Sequence, residues 1–159
     1  MRKAIVVSVG AVVIATSAVA GRAVASSPGH QPVHRGTFTV VEHALTDTTA
    51  DTGPTGDSLG DLLAFANPVF DAANTHQVGT DNGSCIRTAV GVSYECSWTT
   101  SLGGGSLVVA GPFLDAGDST LAITGGTGRF RGASGEMRLH ARNAAGSEYD
   151  FTFVLGGHD

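Results

Sequence analysis

The chain has 159 residues, a length that suits one domain better than two. Charged residues make up 14% of it, below the roughly 25% of an average soluble protein. Glycine is frequent at 23 residues, proline is scarce at 5, and the formal net charge is −5. This composition predicts a turn-rich β protein. It argues against a nucleic-acid-binding protein, because phosphate contacts need clustered lysine and arginine.

The first 25 residues have the pattern of a secretory signal peptide. Arg2 and Lys3 precede an apolar run from Ala4 to Thr16, and small-residue cleavage signatures follow at 18–20 and 23–25. The apolar run is shorter than the roughly 20 residues that a membrane span needs. We therefore expect cleavage, a secreted, extracellular protein and no membrane association after processing. An uncleaved N-terminal anchor is the alternative.

Lys3 is the only lysine, so cleavage leaves a chain without one. Such a chain has no lysine Schiff base, no P-loop lysine and no polybasic membrane patch. Residues 26–35 are polar and contain proline and glycine, which is typical of a flexible linker. Residues 36–157 are then the predicted β-barrel domain.

Alternation with a period of two recurs along this domain, and helical periodicity is almost absent. A polar stretch, 46–57, is predicted to be a loop, and Asn67-Pro68 is expected to interrupt the second strand. About eight strands are predicted, at 37–45, 59–70, 78–89, 92–102, 106–114, 119–124, 135–142 and 148–155. That number suits a closed antiparallel barrel or a sandwich. An eight-stranded barrel leaves room inside for side chains and one small ligand.

The two cysteines outside the leader, Cys85 and Cys96, fall at facing positions of a predicted hairpin that turns at Val90-Gly91. Arg87 and Tyr94 face each other in the same register. In an exported protein, pairing of cysteines is the usual outcome, and a cross-strand disulfide is geometrically reasonable here. Two free thiols, one of them functional, remain the alternative.

Glu42 is the most informative ionisable residue, because it shares a strand face with Phe38, Val40 and Ala44. A carboxylate on an apolar inner wall has a raised pKa, which suits a general acid or base or a charge stabiliser. The alternatives are that this face looks outward or that an arginine pairs with Glu42. Asn67 could orient a water or a ligand oxygen, or could simply be a turn residue before proline.

No metal site is predicted, because the six histidines are scattered and no His/Cys/carboxylate group has metal-ligand spacing. The segment 125–132 (GGTGRFRG) lacks the spacing of the dinucleotide fingerprint and no helix is predicted after it, so it indicates a tight corner in a β structure.

Two segments, 107–114 (LVVAGPFL) and 121–135 (LAITGGTGRFRGASG), resemble the allene oxide cyclase barrel and, more distantly, the plant dirigent proteins. The residues around 59–67 are similar to the second strand of the cyclases. The resemblance spans about residues 36–155. It implies an all-β fold, an eight-stranded antiparallel barrel of the calycin type with an apolar cavity, commonly a homotrimer. It also implies that no metal or organic cofactor is needed.

The resemblance also implies roles for individual residues. Glu42 matches a glutamate that stabilises the developing cation, Asn67 an asparagine that holds a water at the epoxide, and Cys85 a cavity cysteine. Pro54 corresponds to a proline at the cavity mouth. Phe113 lies at a ligand-binding position where a tyrosine is expected, so that hydroxyl is missing.

Ala44 likewise stands where a second asparagine is expected. What remains is an apolar cavity with one carboxylate. The favoured function is a secreted, cofactor-free cyclase or isomerase that binds a hydrophobic reactive intermediate (a lipid epoxide, polyketide or phenolic) and controls its cyclisation or stereochemistry. The alternative is a non-catalytic dirigent-like or lipocalin-like binding protein, and a structural β domain with a filled core is a third interpretation.

Overall fold

A computed structural model describes residues 35–156, so the predicted signal peptide and all but the last residue of the predicted linker lie outside the described residues. Nine strands and one turn of 3-10 helix make up this part of the chain. The strands are β1 Gly36–His43, β2 Thr48–Ala50, β3 Leu62–Phe70, β4 Gln77–Ala89, β5 Ser93–Leu102, β6 Gly105–Leu114, β7 Ser119–Gly126, β8 Ser134–Ala141 and β9 Glu148–Gly156. No helix within 35–156 is long and apolar enough to cross a membrane.

Eight of these strands close into an antiparallel barrel, which confirms the fold class expected from the sequence. The hydrogen-bonded order is β1-β9-β8-β7-β6-β5-β4-β3, and pairing of β1 with β3 completes the ring. This closing seam is short: Val41 faces Phe70, and Glu42 faces Val69. The short strand β2 pairs with the first residues of β3.

Large apolar side chains fill most of the barrel. Phe38 stacks on Phe153 with ring centroids 5.1 Å apart, and Trp98 packs 5.4 Å from Phe151. Burying each such side chain stabilises the fold by about 1.5–3 kcal/mol. The buried apolar residues come from the inward-facing positions of every long strand and include Val40, Val69, Trp98, Leu107, Val109, Leu121, Ile123, Met137, Leu139, Phe151, Phe153 and Leu155.

The strand order gives the barrel two distinct ends. The turns 90–92, 115–118 and 142–147 and the long connection 44–61 lie at one end, which we call the upper end. The turns 71–76 and 103–104 and the 3-10 helix Gly128–Phe130 lie at the opposite, lower end. The predicted tight corner therefore exists: Gly128 has φ +57°, and a Cβ placed on it would meet the carbonyl oxygen of Gly104 at 2.1 Å.

Three predictions for the loop 46–57 and the second strand are wrong. The segment 46–57 is not all loop, because it contains β2, and β3 begins at Leu62 rather than at residue 59. The strand also continues through Asn67-Pro68 without interruption. Between its pairings with β2 and with β1, one side of β3 has no partner strand from Phe65 to Pro68. A proline, which has no N–H, fits a strand where a ladder hydrogen bond is not required.

Candidate functional site

A cavity of about 40 Å³ lies inside the upper half of the barrel. Its walls are apolar and mostly aromatic, and Asp47 and Tyr149 add polar atoms. The lining residues are Asp47, Leu63, Phe65, Cys85, Trp98, Phe113, Tyr149 and Phe151. A drug-sized ligand needs a pocket of about 300 Å³ or more, so the cavity as it stands has room for water only. Leu63, Phe65, Phe113 and Tyr149 are only half-buried, so these lining side chains have room to move, as has the exposed Asp47.

The Glu42 side chain projects from β1 into the barrel, as the alternation of the sequence predicts. Its residue is only 5% exposed. The amide nitrogen Nδ2 of Asn67 donates a 2.6 Å hydrogen bond to its Oε1. Burial raises the pKa of Glu42 to about 7, and the negative charge of Asp47 adds to the rise, while the Asn67 bond opposes it. Its carboxyl group is therefore poised to gain or lose a proton near neutral pH.

Both polar atoms of the Asn67 side chain have all their hydrogen bonds with groups of the protein. Its Nδ2 also donates to Oδ1 of Asp47 at 2.7 Å. Its Oδ1 accepts hydrogen bonds from the backbone N–H of Leu45 at 3.0 Å and of Thr46 at 2.9 Å, and from Oγ1 of Thr46 at 3.0 Å. Asn67 thus ties the connection after β1 to Glu42, and its predicted contact with a water stays a prediction.

A second buried carboxyl group, that of Asp81, lies beside Glu42. Asp81 faces Asn67 across the β3–β4 ladder and is fully buried. No N–H or O–H group of the described chain donates to either of its oxygens. Burial first, and then the charge of Glu42, raise the pKa of Asp81 to about 9, so Asp81 is protonated at neutral pH.

The two carboxyl groups act as a pair. None of the ion pairs found within residues 35–156 includes Glu42 or Asp81. Two carboxylates in contact, with no neutralising cation, cannot both ionise at low cost, so the protons leave in two steps that belong to the pair. At neutral pH the pair therefore keeps at least one proton, a state that can accept or release a proton.

Sequence reasoning missed Asp81. Its strand, β4, is polar around this point, with Thr80, Asn82 and Ser84 as neighbours. The signal was available in the parity of the strand: Asp81 lies four residues before Cys85, so an inward-facing Cys85 places Asp81 on the same wall.

Cys85 and Cys96 form a disulfide, with Cα atoms 4.0 Å apart. This confirms the predicted pairing and removes the free-thiol alternative, although Cys85 still lines the cavity. Phe113 also lines the cavity and packs edge-to-face on Tyr149, with ring centroids 5.9 Å apart. Pro54 lies exposed in the 44–61 connection and is not among the residues that line this cavity.

Arg87 anchors the same connection above the cavity. Its Nε donates to Asp57 at 2.6 Å, and its Nη1 donates to both oxygens of Asp115 at 2.7 and 2.8 Å. Its guanidinium also lies 3.7 Å over the ring of Tyr94, the residue predicted to face it. Arg87 is therefore committed to structural contacts at the upper end. Within residues 35–156, no group of three or more His, Cys, Asp or Glu side chains could hold a metal ion.

The fold and these contacts define a closed antiparallel β-barrel that holds an aromatic-lined cavity and a buried acidic pair. Glu42, Asn67 and Asp81 are not among the residues that line this cavity. Residues 41–158 match the family model described as allene oxide cyclase. The chain therefore belongs to the allene oxide cyclase family.

Solved structures of related barrels agree with this assignment. A pyocyanin demethylase is 26% identical, with a TM-score of 0.64 over 73% of this chain and 98% of that chain. The pterocarpan synthase dirigent protein PsPTS1 is 16% identical, with a TM-score of 0.65 over 82% of this chain and 99% of that one. The Diels-Alderase AbmU from Streptomyces koyangensis is 18% identical, with a TM-score of 0.64 over 77% and 64%. The last two matches show a shared fold only.

Proposed function

We propose that this protein is a cofactor-free cyclase or isomerase that binds a hydrophobic reactive intermediate and controls its cyclisation or stereochemistry. The observation that carries the proposal is the Glu42 carboxyl group, buried in the barrel, held by Asn67 and in contact with a second acid. A buried acid without a neutralising cation costs free energy of folding, and such arrangements are common where a group must carry out chemistry.

In this proposal Glu42 supplies charge or moves a proton. Its ionised form stabilises positive charge that develops on the intermediate, in a site from which water is largely excluded. Its pKa of about 7 also suits transfer of a proton in either direction at neutral pH. The aromatic walls hold the intermediate in one folded shape, which selects one product from several.

Binding requires the cavity to grow. The half-buried side chains at its edge are the ones that can turn outward, while Trp98 and Phe151 are buried and form a fixed floor. The related barrels include a demethylase, a dirigent protein and a Diels-Alderase by name. Because these activities differ, the proposal for this chain names a class of reaction and leaves the substrate open among lipid epoxides, polyketides and phenolics.

The test is a matched pair of substitutions. Glu42→Gln removes the titratable group and keeps the shape, and Glu95→Gln makes the same change at an exposed position of β5. Each variant is given a panel of one unsaturated epoxy fatty acid, one polyene polyketide and one phenol undergoing radical coupling, and the enantiomeric excess and rate of product formation are measured by chiral chromatography. We expect Glu42→Gln to lose turnover of the accepted substrate while still binding it, and Glu95→Gln to match the parent. Unchanged turnover in Glu42→Gln rejects the proposal.

A binding protein without catalysis is the second candidate. The observations that favour it are the loss of a free thiol at Cys85 and the absence of hydroxyl and amide groups at Phe113 and Ala44. This candidate predicts that a fatty acid or an apolar dye binds with the same affinity to the parent and to Glu42→Gln, with no product from any panel member.

We also propose that the chain is secreted and assembles as a homotrimer, as the leader pattern and the family resemblance suggest. The disulfide supports an oxidising compartment. Mass spectrometry of protein recovered from culture medium tests cleavage near residue 25, and light scattering of the processed protein tests the trimer. An intact leader in the cell fraction, or a monomeric mass, contradicts the respective proposal.

A further inference from the structure

Polar atoms inside the barrel remain without partners beside the Glu42–Asp81 pair. Among the described residues, Nε1 of Trp98 and Oγ1 of Thr100 make no hydrogen bond, and neither oxygen of Asp81 receives one. All three residues are at most 3% exposed. Buried polar atoms in native proteins nearly always have a partner in the chain, in water or in a ligand, so these atoms point to a partner that is not part of the chain.

These atoms belong to one patch of the barrel wall. Thr100 on β5 faces Asp81 on β4 directly, and Asp81 in turn faces Asn67 on β3. Trp98 is the next inward-facing residue of β5 toward the upper end, and its ring lines the cavity. Gly83 faces Trp98 across the ladder, and a Cβ on Gly83 would come within 2.2 Å of the Trp98 Cβ. Any larger residue at position 83 would therefore displace the Trp98 side chain.

The patch offers mainly hydrogen-bond donors. The indole N–H of Trp98 can only donate, and the hydroxyl of Thr100 can donate. Asp81 is a third donor when protonated, the form that its burial and the neighbouring Glu42 favour. The acceptor that several converging donors recognise is an oxygen with two lone pairs, such as a carbonyl or phenolic oxygen.

We propose that Trp98, Thr100 and Asp81 form a hydrogen-bonding site for a carbonyl or phenolic oxygen of an otherwise apolar ligand. The ligand's apolar body lies in the aromatic cavity, and its oxygen reaches past the edge of Trp98 toward Thr100. This inference rests on the proposed function, because it requires the cavity to accept an apolar molecule. It narrows the substrate class to compounds with such an oxygen, placed close to Glu42.

A matched pair of probes tests the site. 2-Acetylnaphthalene and 2-ethylnaphthalene have nearly the same size and shape, but only the first carries a carbonyl oxygen. Trp98 is the single tryptophan of the chain, so quenching of its fluorescence reports binding next to the site. With two net hydrogen bonds to the carbonyl, we expect the acetyl probe to bind about tenfold more tightly than the ethyl probe.

Substitutions assign the preference to individual groups. Thr100→Val keeps the volume and removes the hydroxyl, and Trp98→Phe removes the N–H, with binding to the latter followed by calorimetry. Each is expected to reduce the preference for the acetyl probe about threefold and to change the affinity of the ethyl probe much less. Thr99→Val, on the opposite face of the same strand, is the control and should keep the full preference.

The outcomes separate this inference from the proposed function. If both probes bind equally, or if Thr100→Val and Trp98→Phe leave the preference unchanged, the oxygen site is overturned and the patch holds water only, while the proposed apolar cavity stands. If neither probe binds, the proposed function fails and the oxygen site fails with it. Infrared spectra give a direct check, because a bound carbonyl that accepts hydrogen bonds must absorb at lower frequency in the parent than in a variant that combines Thr100→Val with Trp98→Phe.

Discussion

Asn67 donates a 2.6 Å hydrogen bond from Nδ2 to Oε1 of Glu42, and this contact lies at the seam where the barrel closes. The backbone ladder between β1 and β3 has only two facing residue pairs. The Asn67 side chain extends the seam beyond that ladder, because it also binds the backbone N–H groups of Leu45 and Thr46. The side-chain amide of Asn67 therefore helps to close the barrel and also binds the buried carboxyl group of Glu42.

Removing the donor of this amide should weaken the fold. Asn67→Asp keeps the shape and the acceptor oxygen but replaces Nδ2 by a carboxylate oxygen that faces Glu42 and Asp47. We expect a loss of about 2–4 kcal/mol in the free energy of unfolding at pH 7, because two charge-assisted bonds become repulsive contacts. Urea unfolding followed by circular dichroism measures it.

The matched control is Asn143→Asp in the exposed 142–147 turn, where Asn143 forms hydrogen bonds only with Ser147 and Gly146 within residues 35–156. Its cost should stay below about 0.5 kcal/mol. Equal losses of unfolding free energy in the two variants would show that the Asn67 side chain does not stabilise the seam.

The acidic pair predicts an unusual dependence of stability on pH. The pKa of Glu42 is about 7 in the folded chain against an ordinary 4.5, and that of Asp81 is about 9 against 3.8. Between the ordinary and the folded values the folded state binds more protons than the unfolded state, so the free energy of unfolding falls as pH rises. A tenfold difference in proton affinity between the folded and the unfolded chain corresponds to about 1.4 kcal/mol, so we expect the melting temperature to drop clearly from pH 5 to pH 9.

Asp81→Asn is the variant that isolates this effect. The amide mimics a permanently protonated acid, so the drop between pH 5 and pH 9 should shrink. Glu95→Gln, at an exposed position of β5, should leave the drop as it is. A parent protein that is equally stable at both pH values, with no effect of Asp81→Asn, would contradict the buried pair.

Arg87 should depend on the shape of its side chain as well as on its charge. Its guanidinium binds Asp57, both oxygens of Asp115 and the ring of Tyr94 at once. Lysine cannot reproduce that fork, so Arg87→Lys should cost about 1–3 kcal/mol in unfolding free energy.

The comparison for Arg87 is Arg138→Lys, because Arg138 pairs with Glu136 on the exposed face of β8. Exposed pairs contribute about 0–1 kcal/mol, so thermal melting should hardly change in this variant. If Arg87→Lys lowered the unfolding free energy as little as Arg138→Lys does, the contacts of Arg87 would contribute no more than the exposed Arg138–Glu136 pair.

The Cys85–Cys96 disulfide should stabilise the hairpin moderately. Closing a loop with a sequence separation of 11 residues contributes about 2–3 kcal/mol in the chain-entropy model. Thiol titration of the native protein should find no free thiol, and the double variant Cys85→Ser, Cys96→Ser should unfold at lower urea by that amount. Two titratable thiols in the native protein under non-reducing conditions would contradict the bond.

Several features of the site could be predicted from the sequence because they follow from strand parity and register alone. Alternation on the first strand placed Glu42 with Phe38 and Val40, and the hairpin register placed Cys85 opposite Cys96. The alternation of β4 could also have predicted that Asp81 faces the interior. Its polar neighbours, however, gave no reason to expect a buried residue at that position.

The rest depends on contacts between distant parts of the chain. The role of Asn67 arises because the seam leaves part of β3 unpaired, so that residues 45–47 can bind its side chain, and nothing in the local sequence reports that gap. Cavity volume likewise depends on how side chains from several strands and the 44–61 connection meet. The hollow interior implied by the resemblance is therefore much smaller in the structure, because aliphatic and aromatic side chains occupy most of it.

Site-resolved titration of the carboxyl carbons of Glu42 and Asp81 by nuclear magnetic resonance, with the signals assigned through Glu42→Gln and Asp81→Asn, measures the state of the pair directly. We predict that Asp81 is still protonated at pH 7, and that the two signals shift together in steps near pH 7 and pH 9. Two independent titrations near pH 4, as for carboxyl groups in water, would contradict the buried acidic pair.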